Sequence, residues 1–420
     1  MLTREDNELL CRVGVGTPMG ELLREYWMPA ALTSQLEADG APLRVRLMGE
    51  NFVCFRATDG RVGFFDEGCP HRCTSLALAR NEDNALTCIF HGWKIDVSGK
   101  VVEVPSEPPE RRAEFAAKVR VRHYPVHESG GMVWVYLGKR DPAPAFPEFE
   151  FTNLPPTHCA IHRAVVHSNW VQGLETTIDS SHLGVLHSYW LKNRSNSGGA
   201  LATANNGPVY DQWMKSYGFR EVAARDLFDG SVYMRIREVV APFYSFVPMD
   251  SFVPRLAICL IPIDDDWHAQ WYIRYQSEAP IAEDFMRYHR QYPDPSNIAA
   301  DMPGREQVWG QDRKAMKEGH WSGLATLNFE DFAVAEAPGI LIDRSREYLG
   351  SSDSTLIRYR RMMLQAVRDH QAGKPPMGLD GTVDFSSIRA VTVRTKKGVD
   401  WREIDPLNPP ETLALRHRAE

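Results

Sequence analysis

The sequence predicts an α+β protein, a small all-β domain followed by a larger domain that mixes helices and strands. Three observations lead there. From Pro42 to about Leu137, short β-rich runs recur between Gly, Asp-Gly and Ser-Gly turns. A Pro-rich stretch (Pro142, Pro144, Pro147, Pro155, Pro156) then reads as a linker. Beyond it, helical periodicity and strand alternation both occur. The expected division is an N-terminal helical segment at 1–40 packing on the larger domain, the β domain at 41–140, the linker at 141–156 and the larger domain at 157–420.

The first ~35 residues read as helical, with Leu9, Leu10, Val13, Met19, Leu22, Leu23 and Trp27 at helix-like spacing. The expected strands of the β domain are Leu43–Leu47, Phe52–Arg56, Val62–Phe65, Trp93–Val97, Val119–Val126 and Met132–Leu137. In the larger domain a polar helix is expected from Asn169 to His187. Arg255–Ile263 and His268–Gln276 alternate around Asp264-Asp265-Asp266 as a long hairpin. Ser195–Pro208 reads as a surface loop. Leu356, Tyr359, Met363, Ala366 and Val367 mark an amphipathic helix from Asp353 to about His370.

At 420 residues, with 43% hydrophobic and 25% charged residues, the composition is that of a globular protein. A formal net charge of -7 gives no basic excess for nucleic acid or an anionic membrane. No apolar run approaches the ~20 residues that span a bilayer. The N-terminus is charged from its fourth residue and has no apolar signal core. Seven cysteines in a long chain do not form an even disulfide framework, so a cytoplasmic location is expected.

Two Cys/His pairs, Cys69-Pro-His71 and Cys88-Ile-Phe-His91, stand 16 residues apart, and each offers one thiolate and one imidazole. Satisfied core residues are one reading and a structural zinc is another. Zinc modules of two Cys and two His usually keep like ligands together in each short spacing. Here each loop carries one of each, which suits two loops closing on a two-iron cluster with two Cys on one iron and two His on the other. The flanks Gly68-Cys-Pro-His-Arg72 and Cys88-Ile-Phe-His-Gly92-Trp93 suit hairpin loops whose backbone approaches the sulfurs. With these flanks the segment resembles the Rieske domain of ring-hydroxylating oxygenases. Neutral imidazoles make such a cluster less negative, so its potential rises above that of all-Cys ferredoxins. Cys73 reads as a packing residue.

The stretch Asn169-Trp-Val-Gln-Gly-Leu-Glu175-Thr-Thr-Ile-Asp179-Ser-Ser-His182-Leu-Gly-Val-Leu-His187 carries the second constellation. Two imidazoles and a distant carboxylate make the facial triad of non-heme Fe(II) oxygenases. On a regular helix His182 and His187 would lie about 140° apart. Reaching one iron therefore needs an irregular helix, which Gly184 permits. Asp179, one turn before His182, can accept a hydrogen bond from its ring. A polar helix with satisfied histidines is the plain alternative.

The pattern is similar to the D-x2-H-x4-H motif of Rieske oxygenase α subunits. That resemblance implies His182 and His187 as ligands of a mononuclear iron. It implies Asp179 as the bridge from the cluster of one subunit to the iron of its neighbour. Asn169 and Glu175 join Asp179 as candidate catalytic residues. Leu327-Asn-Phe-Glu-Asp331-Phe-Ala-Val-Ala-Glu336 is similar to the late helix that carries the family's ligand aspartate. This implies Asp331 as third ligand, with Glu336 as fallback and Glu330 set aside by the motif's alignment.

The resemblance covers nearly the whole chain, including Met1–Leu10, Val104–Pro108, Ala241–Phe243, Ile342–Arg346 and Leu349–Asp353, and it is to the phthalate dioxygenase branch. It implies a helix-grip-like catalytic domain with a central antiparallel sheet, one [2Fe–2S] cluster and one Fe(II) per subunit. It also implies a homotrimer or stacked hexamer, served by an NAD(P)H-dependent reductase with FMN and a plant-type [2Fe–2S] cluster. The expected reaction is O2-dependent cis-dihydroxylation of an aromatic, carboxylated substrate such as a phthalate or (chloro)benzoate. Monooxygenation or O-demethylation of an aryl ether is the alternative. A Rieske electron-transfer protein without oxygenase activity is the alternative from another class. A substrate carboxylate calls for an arginine, whose fork pairs bidentately with it. Arg235 and Arg220 are the candidates, against surface salt bridges as the plain reading.

Overall fold

The structure, a computed structural model, describes residues 2–192, 199–249, 254–290, 292 and 294–410. The chain divides into two compact units. Val13–Pro147 with Pro262–Asp264 form the smaller, and Met1–Arg12, Glu148–Ile261 and Asp265–Glu420 form the larger. Helix α1 (Arg4–Cys11), capped by the Thr3 hydroxyl, belongs to the larger unit. The expected boundary at residue 40 therefore falls at residue 12 instead.

Helix α2 (Pro18–Leu23) opens the smaller unit, with Pro18 in its first turn and Thr17 as cap. Trp27 onward was expected to continue a helix. It is strand β1 (Trp27–Leu32), with all six residues buried. A run buried on both faces shows no period in sequence, so strand and helix look alike there. Strands β2 (Leu43–Leu47), β3 (Glu50–Arg56) and β4 (Val62–Asp66) form a meander. Strands β5 (Arg80–Glu82), β6 (Ala85–Thr87), β7 (Lys94–Asp96) and β8 (Val101–Glu103) form a four-stranded sheet. After helix α3 (Arg112–Lys118), β9 (Val126–Ser129) and β10 (Met132–Tyr136) complete a third sheet in the order β1-β10-β9.

The expected strand at Val119–Val126 begins only at its last residue, and α3 was not anticipated. Strands β5 and β6 escaped the sequence because three-residue strands show no alternation. Their turn is informative in retrospect. Asp83 and Asn84 have φ of 51° and 61°, as Met48 and Gly49 between β2 and β3 have 54° and 82°. Two left-handed residues in succession match the twist of a tight hairpin. Val53, Phe55, Phe65, Leu86, Trp93 and Ile95 form the core, and Cys69 and Cys88 are part of it.

The larger unit is built on an eight-stranded antiparallel sheet. Its strands are β11 (Cys159–Val166), β12 (Val209–Lys215), β13 (Gly218–Asp226), β14 (Ser231–Val240), β15 (Tyr244–Val247), β16 (Arg255–Pro262), β17 (His268–Tyr275) and β18 (Val391–Lys396). They run β11-β17-β16-β15-β14-β13-β12, with β18 paired to β14. The helices are α4 (Trp170–Ile178), α5 (Ser188–Lys192), α6 (Gly199–Ala202), α7 (Glu283–His289), α8 (Arg313–Lys317), α9 (Leu327–Glu336) and α10 (Ser354–Gln371). The expected loop Ser195–Pro208 contains α6, and its residues 195–198 lie outside the described residues. The expected hairpin and the late amphipathic helix are β16–β17 and α10. No helix among the described residues is long and apolar enough to cross a membrane.

Every residue of β14 is buried, and alternation sorts its side chains. Val232, Met234 and Ile236 join Val222, Val393 and Trp401 in an apolar cluster on one face. Arg235 and Arg237 therefore point to the other face, the side on which an Arg237 nitrogen donates to the Ile178 carbonyl at the end of α4. Helix α4 packs on α9, β15 and β17. The close approach to β17 occurs at Gly173. A Cβ there would lie 2.3 Å from His268 Nε2 and 2.7 Å from Leu260 Cδ2. His268 is fully buried and pinned by its Nδ1 contact of 2.8 Å to the Ser168 carbonyl. Gly173→Ala is expected to destabilise the protein by about 1–3 kcal/mol through overpacking. Thermal unfolding checks this, and an unchanged Tm would show that the helix can move away from the sheet freely.

Candidate metal centres

The two Cys/His loops of the smaller unit are built alike. Cys69 N–H donates to the Thr74 carbonyl and Cys73 N–H to that of Cys69, each at 2.8 Å. In the second loop Cys88 N–H donates to the Trp93 carbonyl at 2.8 Å and Gly92 N–H to that of Cys88 at 2.9 Å. Cys73 and Gly92 thus hold equivalent positions, and both are left-handed, with φ of 57° and 71°. This corrects the expectation for Cys73. It is exposed, and it stands where the loop needs positive φ rather than where the core needs volume.

The His71 and His91 rings lie 4.5 Å apart between centroids. His71 stacks on Trp93 at 4.7 Å, and the Trp93 indole N–H donates to Ser106 Oγ at 3.0 Å. Burial pushes the Cys69 thiol up to about 11, and the Cys88 sulfur beside it pushes the same way. His91 Nδ1 is buried without a hydrogen-bond partner. An unpaired buried ring nitrogen carries a desolvation cost that a ligand bond would remove. Two buried sulfurs, two adjacent imidazoles and that free nitrogen fit a cluster with two Cys and two His ligands.

The second centre lies in the larger unit. After Ile178 the chain leaves the helix, and Asp179 is extended at φ -75° and ψ 129°. Its carboxylate accepts from Ser181 N at 2.7 Å and His182 N at 3.3 Å. A short 3-10 turn, His182–Gly184, precedes α5. This break lets imidazoles five residues apart face one point. Asp331, on α9, places Oδ1 3.0 Å from His187 Nε2 and 3.7 Å from His182 Nε2. Ligand atoms of all three residues lie within 4.8 Å of one another.

The donor set fits a metal ion. Asp331 Oδ1 is buried without a hydrogen bond of normal geometry, yet lies within ion-pair distance of both Nε2 atoms, so the three groups converge on one point. Each outer ring nitrogen already faces a carboxylate. His187 Nδ1 lies 2.6 Å from Glu330 Oε2, and His182 Nδ1 lies 3.3 Å from Asp179 Oδ2. Both Nε2 lone pairs are thereby directed at the shared point. Burial works against a charged imidazole, yet Asp331 and Glu330 together carry His187 up to about 9. The surroundings favour a cation.

Other expected site residues lie elsewhere. Asn169 caps α4, its Oδ1 accepting from Val171 N at 3.2 Å while its amide donates to the Cys11 and Asp265 carbonyls at 3.1 and 2.8 Å. Glu175 is buried between Arg344 and Arg360, at 2.9 and 2.6 Å. Burial alone would raise its carboxyl, but the two guanidinium groups hold it below the usual range. Both residues hold α4 in place rather than meeting the metal point. Glu336 accepts from His167 N and the Trp309 indole at 3.0 and 2.8 Å. Arg220 pairs with Glu238 at 3.1 Å on the apolar-cluster face of the sheet, so strand parity turns it away from the triad. Glu330, set aside in the sequence, is in contact with His187. Nothing short of tertiary structure pairs residues 143 positions apart.

A cavity of 170 Å³ opens onto His182, His187 and Asp331. Leu183, Val247, Leu256 and Ile258 supply apolar wall, and Arg235 and Arg237 supply charge. Arg235 is 6% exposed, and its Nε has no hydrogen-bond partner.

Known proteins match this arrangement. A family model described as the Rieske [2Fe–2S] domain matches residues 26–125. One described as LigXa C-terminal domain like matches residues 135–413. The phthalate 4,5-dioxygenase oxygenase subunit of Pseudomonas putida is 36% identical over 419 residues, covering 96% of this chain and 94% of that one. The 3-chlorobenzoate-3,4-dioxygenase oxygenase subunit of Comamonas testosteroni is 35% identical, covering 96% and 97%. Dicamba monooxygenase bound to dicamba shares the fold, with a TM-score of 0.60 at 17% identity over 84% of this chain and 99% of that one. His182→Ala is expected to remove the mononuclear metal while the visible spectrum of the cluster persists. Iron retained at wild-type level in that variant would contradict the role of His182.

Proposed function

The chain belongs to the Rieske non-heme iron oxygenases, as an oxygenase subunit of the phthalate dioxygenase-like kind, and from that premise we propose that its substrate is a carboxylated aromatic compound. The protein is an oxidoreductase that takes a [2Fe–2S] Rieske cluster and a mononuclear iron and receives electrons from a reductase or ferredoxin. We assign Cys69, His71, Cys88 and His91 to the cluster, and His182, His187 and Asp331 to the mononuclear iron. The observation that carries the substrate class is Arg235, a buried guanidinium with an unpaired Nε in the wall of the cavity that meets the triad. A buried cation of this kind calls for an anionic partner.

His182, His187 and Asp331 would hold the iron, which would supply O2 activation with electrons arriving through the cluster. The side chains do the rest. Arg235 pairs with the substrate carboxylate and fixes which ring carbons face the triad. Leu183, Val247, Leu256 and Ile258 exclude water around the ring. Asp179 faces the His182 ring and would link the iron site to a neighbouring subunit's cluster, so the working unit would be an oligomer, which the family resemblance makes a homotrimer or stacked hexamer. The reductase is an NAD(P)H-dependent protein with FMN and a plant-type [2Fe–2S] cluster. The favoured reaction is cis-dihydroxylation. The relative 5,5'-dehydrodivanillate O-demethylase oxygenase subunit of Sphingobium, 30% identical, favours O-demethylation as the second reading.

Substrate-dependent O2 uptake across phthalate isomers, halobenzoates and aryl ethers, with product analysis, separates these reactions. Uptake confined to substrates without a carboxylate would reject the proposed class. Arg235→Ala is expected to raise KM for the carboxylated substrate roughly 10- to 150-fold, the value of a charged hydrogen bond at about 1.5–3 kcal/mol. An unchanged KM would exclude Arg235 from substrate binding. Asp179→Ala is expected to keep both metal centres yet stop turnover. Loss of the mononuclear iron from that variant would make Asp179 a structural residue.

A further inference from the structure

We propose that Glu330 is a positioning residue for the mononuclear iron, and that its negative charge makes His187 the more strongly donating of the two imidazole ligands. The inference rests on the iron site assigned above and adds a residue to it. Glu330 and Asp331 are consecutive in α9, and both reach the same imidazole from opposite nitrogens. Asp331 Oδ1 lies 3.0 Å from His187 Nε2, and Glu330 Oε2 lies 2.6 Å from His187 Nδ1.

The surroundings of Glu330 separate it from an ordinary buried carboxylate. It is fully buried, and its second oxygen accepts a hydrogen bond from Ser322 Oγ. Ser322 is itself buried, and its Oγ accepts from Leu324 N at 3.1 Å, which leaves its O–H to point at Glu330. Both Glu330 oxygens are thus fixed. Glu175, another buried carboxylate, is met by two arginines. The ion pair of Glu330 among the described residues is with His187. Its charge is therefore directed through the imidazole toward whatever the imidazole binds. Early placement in α9, whose N-terminus Thr326 caps, further favours negative charge at this position.

The two histidines are not equivalent. The contact from His182 Nδ1 to Asp179 is 3.3 Å, and the Asp179 side chain is 27% exposed. A shorter contact to a dry carboxylate polarises the ring more strongly, because water does not screen it. A carboxylate behind a ligand histidine fixes the ring's orientation and raises its basicity.

The test uses the full-length protein with its cluster intact and the mononuclear iron removed by a chelator. Glu330→Gln keeps the volume and one acceptor oxygen but removes the charge. Anaerobic Fe(II) titration is expected to show about 10- to 100-fold weaker binding. The Rieske spectrum should be unchanged, and the ligand-field bands of the Co(II)-loaded site should shift. Glu330→Asp, which keeps the charge, should bind more tightly than Glu330→Gln. Ser322→Ala should weaken binding in the same direction by less. Wild-type affinity in Glu330→Gln, or Glu330→Asp no better than Glu330→Gln, overturns the inference while leaving the iron site standing. Failure of the wild type to take up Fe(II) would overturn the iron site and this inference together.

Discussion

The metal point of the larger unit depends on how α4 ends. A helix leaves its last carbonyls without partners, and here one buried arginine from the sheet takes the final one while a second binds the chain just beyond it. Arg237 on β14 donates to the Ile178 carbonyl, and Arg225 on β13 donates to that of Ser180 at 2.8 Å. Ser181 Oγ meets the Tyr210 hydroxyl at 2.7 Å. These contacts hold the chain out of the helix for the residues between Ile178 and His182. Were α4 to continue regularly, His182 and His187 would diverge by about 140° and share no ligand point. Cations at a helix C-terminus are favoured by the macrodipole, so the arrangement uses the helix end as well as the sheet.

The same arginines set the charge of the cavity side. Arg225, Arg235 and Arg237 share one face of β13 and β14 with Glu221, which lies directly across from Arg237. Burial, followed by Arg235, pushes Arg225 down to about 10. Burial likewise raises the Glu221 carboxyl to about 7 against the pull of Arg237. Like charges crowded out of water raise the energy of the empty cavity, and an anionic ligand beside Arg235 would relieve it. One strand, β14, thus carries both the arginine that holds the end of α4, Arg237, and the arginine proposed for the substrate, Arg235.

Much of this was legible in the sequence, and the reason differs from part to part. Cys69, His71, Cys88, His91, His182 and His187 are rare residue types at fixed local spacing, so their pattern needs no tertiary structure to be seen. Asp331 required a resemblance, because a lone aspartate in a helix carries no local signal. The choice between Arg220 and Arg235 was available from parity. Val232, Met234 and Ile236 mark the apolar face of β14, which puts Arg235 on the other face, while Arg220 on β13 pairs with Glu238 and shares the apolar side with Val222. Trp27–Leu32 and the three-residue strands around Asp83-Asn84 were beyond periodicity, the first for being buried throughout and the second for being too short. Asn169 and Glu175 were expected as catalytic residues, but the first caps α4 and the second is paired with arginines within the fold. Their partners, the Cys11 carbonyl and Arg344, lie far away in the chain, and only folding shows that both residues serve the helix.

Anomalous diffraction at the iron edge, on crystals of the protein prepared with both centres loaded, tests the central claim most directly. The account predicts a pair of iron sites between Cys69, His71, Cys88 and His91, and a separate single iron bound by His182, His187 and Asp331. A single zinc at the four-residue site, or no iron between the two histidines and Asp331, would contradict it.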